Sequence, residues 1–302
     1  MTRRNFLGAG AALPVSLAAA GSTNVPLAVT TDEIHDDLGV AIEFLRRFGL
    51  RHCEIRRLWG KYNTSLPVAK VKLARSMLDD AGIKLAILDT SFFKVPLPAL
   101  DSVEGAKAMT RQWDLLGRAF ERADILGTRL IRTFAFTYRR GESPRQTAYP
   151  QIYELVQESA ERAHAAGFRL AVENVADSYV ATAVQSAALL KAVSSPGLGL
   201  TWDPNNSARA GDPDPFPSGY ESLDADRIWH VHLRDYRRLD DGTLEWCGVG
   251  DGEFDHSGQI RALLGDGYEG VFSLETHFRL SGSKHAASEH SLRGLLKTVQ
   301  QL

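Results

Sequence analysis

Cysteine is scarce. There are two in 302 residues, Cys53 and Cys247, in distant segments and without a CxxC pair. A disulfide between them has no support in the sequence, and two unpaired, largely buried thiols are expected. A chain of this size buries a large core without such staples. No block of Lys and Arg stands out and the net charge is −2, so the chain lacks the electrostatic footprint of a nucleic-acid binder. Beyond the amino terminus no run is long and apolar enough for a membrane helix, which argues against stable membrane anchoring. Glycine is missing from residues 30–37, after the first strand candidate, where a doubly wound nucleotide-binding sheet usually carries a Gly-rich turn. What remains is ordinary for a soluble globular protein: 44% hydrophobic and 24% charged residues.

The amino terminus differs from the rest. Arg3 and Arg4 precede Phe6 and Leu7, and the stretch from Gly8 to Ala20 is almost wholly small or apolar. This resembles a twin-arginine export signal, with residues 1–23 as the leader and residues 24–302 as the mature domain. A periplasmic or exported protein is expected if the signal is used, and a cytoplasmic one if it is not. After the leader, short β-like runs alternate with helix-period segments. Strands are predicted at 27–30, 52–55, 84–88, 129–134, 169–175, 198–202, 228–234 and 270–275. Helices are predicted at about 40–48, 68–80, 103–126, 149–166, 181–193, 220–224, 257–264 and 286–300. Gly49, Gly82, Gly127 and Gly167 close four of these helices. Eight strand–helix pairs imply a parallel sheet with crossover helices, closed into a single (β/α)8 TIM barrel of the α/β class.

On such a barrel the chemistry stands at the carboxyl ends of the strands. Strand five ends in Glu173-Asn174, strand six in Asp203-Pro-Asn205-Asn206, strand seven carries His230-Val-His232-Leu-Arg-Asp235, and strand eight ends in Glu275-Thr276-His277. One such ending is unremarkable: a lone carboxylate is usually solvated, and an Asp before Pro often caps a helix. Four successive endings of this kind point to a site. Two Glu, one Asp and one His make an oxygen-rich donor set with a single nitrogen, suited to one divalent ion: Mn²⁺ first, with Mg²⁺, Co²⁺ or Zn²⁺ as alternatives.

The stretches AVENV, LTWDPNN, HVHLRD, GVGDGEFD, FSLETH and GLRHCEIR resemble the xylose-isomerase-like barrel superfamily, also called sugar phosphate isomerase/epimerase or AP endonuclease family 2. The resemblance covers nearly all of the mature chain. It implies that Glu173, Asp203, His232 and Glu275 bind the ion, and that Glu173 and Glu275 are the catalytic pair, one removing a proton beside a substrate carbonyl and the other returning one through an enediolate. His232 matches the family's ligand position and is nearer the strand end than His230, which would sit one layer deeper. Arg238 falls where the epimerases place a substrate-contacting arginine. His230, Asn206, Glu54, Trp59 and His277 complete the candidate substrate contacts. Asn206 stands where the sugar epimerases usually have histidine, and its presence also argues against the three-zinc DNA-repair branch. The implied activity is a metal-dependent isomerase or epimerase of a small-molecule sugar or polyol. A lyase or dehydratase acting on keto-sugars, keto-glycosides or inososes, and a non-catalytic sugar-binding barrel, are the alternatives. A homo-oligomer is left open.

Overall fold

The computed structural model of the chain describes residues 25–139 and 141–302; the leader expected over residues 1–23 lies outside them. Eight parallel strands form one sheet: β1 (Leu27–Val29), β2 (His52–Ile55), β3 (Lys84–Asp89), β4 (Leu130–Thr133), β5 (Arg169–Glu173), β6 (Leu198–Trp202), β7 (Ile228–Leu233) and β8 (Phe272–Leu274). They lie in chain order, with β1 paired to β8, and a parallel bridge between Thr30 and Glu54 brings β1 against β2 to complete the ring. Strands buried on both faces read as apolar runs. β4 and β6 are buried throughout.

Each strand is followed by a helix: α1 (Leu38–Arg47), α2 (Val68–Ala81), α3 (Val103–Leu126), α4 (Tyr149–Ala165), α5 (Ala183–Ala192), α6 (Pro204–Arg209), α7 (His256–Gly265) and α8 (Lys284–Val299). Side-chain caps set several of their starts. Asp37 accepts from the amides of Gly39 and Val40, and Ser102 from Gly105. Thr182 and Gln185 form a reciprocal capping box, which is why α5 begins at Ala183 and not at the predicted 181. Among the described residues no helix is long and apolar enough to cross a membrane. Cys53 and Cys247 are both free and buried.

Two segments depart from the sequence reading. The crossover after β6 begins at once with α6, because Asp203 caps it and Pro204 presets its first φ. The short helix expected at 220–224 is instead the tail of a π-turn at Pro215–Gly219 that runs on through Glu221. The polar loop after β7 opens with an antiparallel hairpin, Asp235–Arg238 against Leu244–Cys247. The Asp235 carboxylate then gathers four backbone amides, those of Tyr236, Gly250, Gly252 and Phe254, at 2.9–3.2 Å. A Cβ at Gly252 would lie 2.2 Å from Asp235 Oδ1, so only glycine permits this approach. Burial opposes ionisation of Asp235, but His256 and these amides outweigh it and hold the carboxyl below its usual range. Its stabilising effect is therefore present above the unfolded pKa of about 3.9 and is lost only as pH falls through the lower folded value. Replacing Asp235 with Ala is expected to remove about 2 kcal/mol and lower the melting temperature by several degrees in calorimetry, with metal uptake unchanged.

Candidate metal centre

The four strand-end donors predicted from sequence converge. Glu173, Asp203, His232 and Glu275 each present a ligand atom, all within 4.8 Å of one another, and all four residues are buried. Their backbones are tied across strands. Asn174 donates its amide to the Asp203 carbonyl at 2.8 Å and accepts from the Asp203 amide at 2.9 Å. The Glu275 amide donates to the Leu233 carbonyl at 3.0 Å. Asp203 serves its site and its helix together, since Oδ1 accepts from the Asn206 amide at 2.8 Å.

His232 shows that this donor set fits a divalent ion. Its Nδ1 faces Glu173 Oε1 at 3.3 Å and Glu275 Oε2 at 3.4 Å, while Nε2 pairs with Glu54 Oε1 at 2.9 Å. A metal-binding imidazole usually has its second nitrogen fixed by such a carboxylate. Glu54 has no exposed surface, and its other oxygen holds His230 Nε2 at 2.9 Å. Burial would raise the Glu54 carboxyl, but His232, Asp89 and His230 hold it well below its usual range. Substituting Glu54 with Gln is expected to weaken zinc affinity by about 10- to 100-fold in calorimetric titration.

Three arginines surround the carboxylates. Arg132 is buried in β4, with Nη1 2.7 Å from Glu173 Oε2 and Nε 3.2 Å from Asp89 Oδ1. Burial opposes the Glu173 charge, yet Arg132 and His232 hold its carboxyl down at about 2. Arg56 reaches Glu275 Oε1 at 2.6 Å and is gripped from behind by Asp32 and Glu33. Arg234 pairs with Asp203 and lies 2.6 Å from Glu275 Oε2. Despite burial, His277, Arg234 and His232 keep Glu275 well below the usual carboxylate range.

The remaining sequence candidates divide. Asn206 Nδ2 donates to Glu173 Oε1 at 3.1 Å, and His277 Nε2 lies 2.8 Å from Glu275 Oε1. Glu54 and His230, expected among the substrate contacts, are buried and paired with each other behind His232, a position suited to orienting its imidazole. Arg238 is exposed on the hairpin. Trp59 is half-buried against the core, with Lys70 Nζ 5.2 Å from its ring, as a cover of the barrel rim would be. Trp59, Phe93, Phe136 and His277 all have φ between 50° and 60° in the segments after β2, β3, β4 and β8. Strained backbone of this kind gathers at functional rims.

The sequence reading passed over Arg132, Arg234 and Asp89. A charged residue inside the apolar strand Leu130–Thr133 was the available signal for Arg132. For Arg234 it was the two-residue spacing that puts it on one strand face with His230 and His232. It also missed Lys94, whose ammonium lies 4.4 Å from the Phe134 ring, with the Arg132 guanidinium 5.0 Å from the same ring. The loops after β3, β4 and β5 line a half-open pocket of about 560 Å³ that includes Leu97, Tyr138, Arg139, Arg145 and Tyr179 and none of the four donors.

The family model of the xylose isomerase-like TIM barrel matches residues 42–298. The chain belongs to this family. A 3-dehydroshikimate dehydratase of Pseudomonas putida is 27% identical over 239 residues, which is 75% of this chain and 35% of the relative. The chain thus spans about a third of that relative's length. Among solved structures, the IOLI protein with a bound zinc atom superposes with a TM-score of 0.75 at 17% identity, covering 92% of this chain and 99% of that one. L-ribulose 3-epimerase gives 0.70 at 18% identity, covering 92% and 96%. At these identities the superpositions establish the fold.

Proposed function

We propose that the protein is a metal-dependent isomerase or epimerase that removes and returns a proton on the carbon beside the carbonyl of a sugar or sugar-like polyol. The observation that carries this reading is the unequal support of two glutamates facing one donor set. Glu173 is fixed on both oxygens, by the fully buried Arg132 on one and by Asn206 and His232 on the other. Glu275 turns Oε2 toward the donor set and Oε1 toward Arg56 and His277. The His277 side chain is 34% exposed, against 2% for Glu275, so Glu275 Oε1 has a proton path to solvent and Glu173 has none through its partners. Glu275 is accordingly the proton acceptor. His277 passes the proton outward or returns it on the same face, as isomerisation requires, and in epimerisation Glu173, on the opposite side, would return a proton to the other face. The divalent ion, when bound, would hold the substrate's carbonyl and hydroxyl oxygens and offset the negative charge that develops as the C–H bond breaks. Zinc in one structural neighbour supports a divalent ion.

Elimination is the second reading, favoured by the dehydratase relative and by Asn206 at the position where the sugar epimerases usually have histidine. Proton removal followed by loss of a β-hydroxyl would use the same Glu275. One experiment separates the two readings. Metal-loaded protein is incubated in D₂O with a panel of ketoses and, separately, with 3-dehydroshikimate. Deuterium at the carbon beside the carbonyl, in a product isomeric with the substrate, supports isomerisation. A conjugated enone or aromatic product with loss of water supports elimination. Exchange with neither, with the ion demonstrably bound, would exclude both.

A further inference from the structure

We infer that Arg234 competes with the divalent ion for the inner carboxylate oxygens and that binding of the ion displaces its guanidinium into the cleft. The inference rests on the reading of Glu173, Asp203, His232 and Glu275 as one divalent-metal site. It turns on which carboxylate oxygens each arginine takes. Arg132 takes Glu173 Oε2, and Arg56 takes Glu275 Oε1. The other oxygens of these two glutamates, Glu173 Oε1 and Glu275 Oε2, are the ones that face His232 Nδ1. Arg234 alone goes to that inner side. Its Nη2 pairs with Asp203 Oδ2, lies 2.6 Å from Glu275 Oε2 and 3.8 Å from Glu173 Oε1.

A divalent ion bound by these oxygens would sit about 2.0–2.6 Å from them. A guanidinium nitrogen on the same oxygens would then be within a few ångströms of a like charge, a strong repulsion even at an effective dielectric of about 20. The two cations cannot share the position. Arg132 and Arg56, on the outer oxygens, have no such conflict.

The surroundings of Arg234 suit exchange. The cluster carboxylates are its ion-pair partners among the described residues, and Nε has none. Leaving the cluster therefore breaks no bond that the arriving ion does not replace. The guanidinium carbon already lies 5.0 Å from the Trp246 ring on the hairpin after β7. That ring, which the Arg209 guanidinium also meets at 5.1 Å, offers the displaced group a face to rest on. From there the guanidinium can meet a substrate oxygen, so loading the ion and arming the cleft with a fixed cation become one event.

The test uses Zn²⁺ as the probe, added to the metal-stripped protein and followed by calorimetric titration and tryptophan emission. In Arg234→Met the zinc dissociation constant is expected to tighten at least tenfold. The metal-free variant should melt below the metal-free wild type, and the gap should close in saturating zinc. Zinc should change the emission of the wild type, and the change should vanish in both Arg234→Met and Trp246→Phe. A variant that binds zinc no better than wild type overturns the inference. So does tighter binding without any Trp246-dependent change in wild-type emission, which would leave Arg234 as a nearby charge that never moves. Arg234→Gln carries the same titration if the Met variant does not fold without metal. A wild type that takes up no zinc, manganese, cobalt or magnesium would instead remove the metal-site reading beneath.

Discussion

An Arg132→Met protein is expected to lose about 3–5 kcal/mol of stability, because truncating one member of a buried ion pair leaves its partner charged and unsolvated. The partner here is chiefly Glu173. Burial and the nearby Glu54 push the Asp89 carboxyl well above its usual range in spite of Arg132, which makes Asp89 the weaker countercharge. Glu173 stays ionised, held at about 2, and Arg132 is the largest influence keeping it there. Met fills much of the arginine stem's volume, which limits any cavity contribution. Urea denaturation of the metal-stripped protein checks this directly. A loss under about 1 kcal/mol would mean that the pair is relaxed by water or by protonation of Glu173, and that Arg132 is not what fixes the far side of the site.

Glu275→Gln is expected to reduce turnover by about a thousandfold or more, at the upper part of what a positioned acid–base group contributes. The amide keeps the shape and can still accept hydrogen bonds, but it cannot take a proton. It also removes a charged donor, so zinc affinity should fall in parallel. Single-turnover deuterium exchange at saturating metal separates the two effects. If exchange survives in the fully loaded variant, the proton goes to another group and Glu275 is a ligand only. His277→Gln should be milder. It leaves Glu275 intact and removes the outward path, so exchange with solvent should slow more than interconversion within the site.

Much of this architecture is legible in the sequence, for physical reasons. Gly82 and Gly127 occupy left-handed caps with φ of 66° and 81°, and Gly49 and Gly167 have φ of 70° and 79° just past their helices. Few other residues take that conformation readily, so the punctuation survives in one dimension. The four donors were visible because each stands where an apolar strand stops. Their partners were not. Glu54 and His232 are 178 residues apart and meet across the barrel interior, a relation no local period encodes. Arg132 meets Glu173 because β4 lies beside β5, which follows from the pairing of consecutive strands and not from either strand alone. The hairpin after β7 did carry a signal. Asp241-Gly242 sits between Tyr236 and Trp246, and Gly242 has φ of 81°, an Asp-Gly hairpin turn that reads as plain polar loop when the surrounding charges are weighed instead.

The Asp235 clasp divides that loop into two parts with different freedom to vary. Its base is committed: the carboxylate accepts four amides and Gly252 tolerates no side chain. The hairpin tip, Leu239–Thr243, is exposed and closed on itself by the bonds between Leu239, Gly242 and Thr243. Substitutions and short insertions there leave the clasp and the donor strands untouched, while Trp246 carries the hairpin's position to the guanidinium beside the ion site. Changes at the tip therefore leave the four donor residues and the Asp235 clasp as they stand.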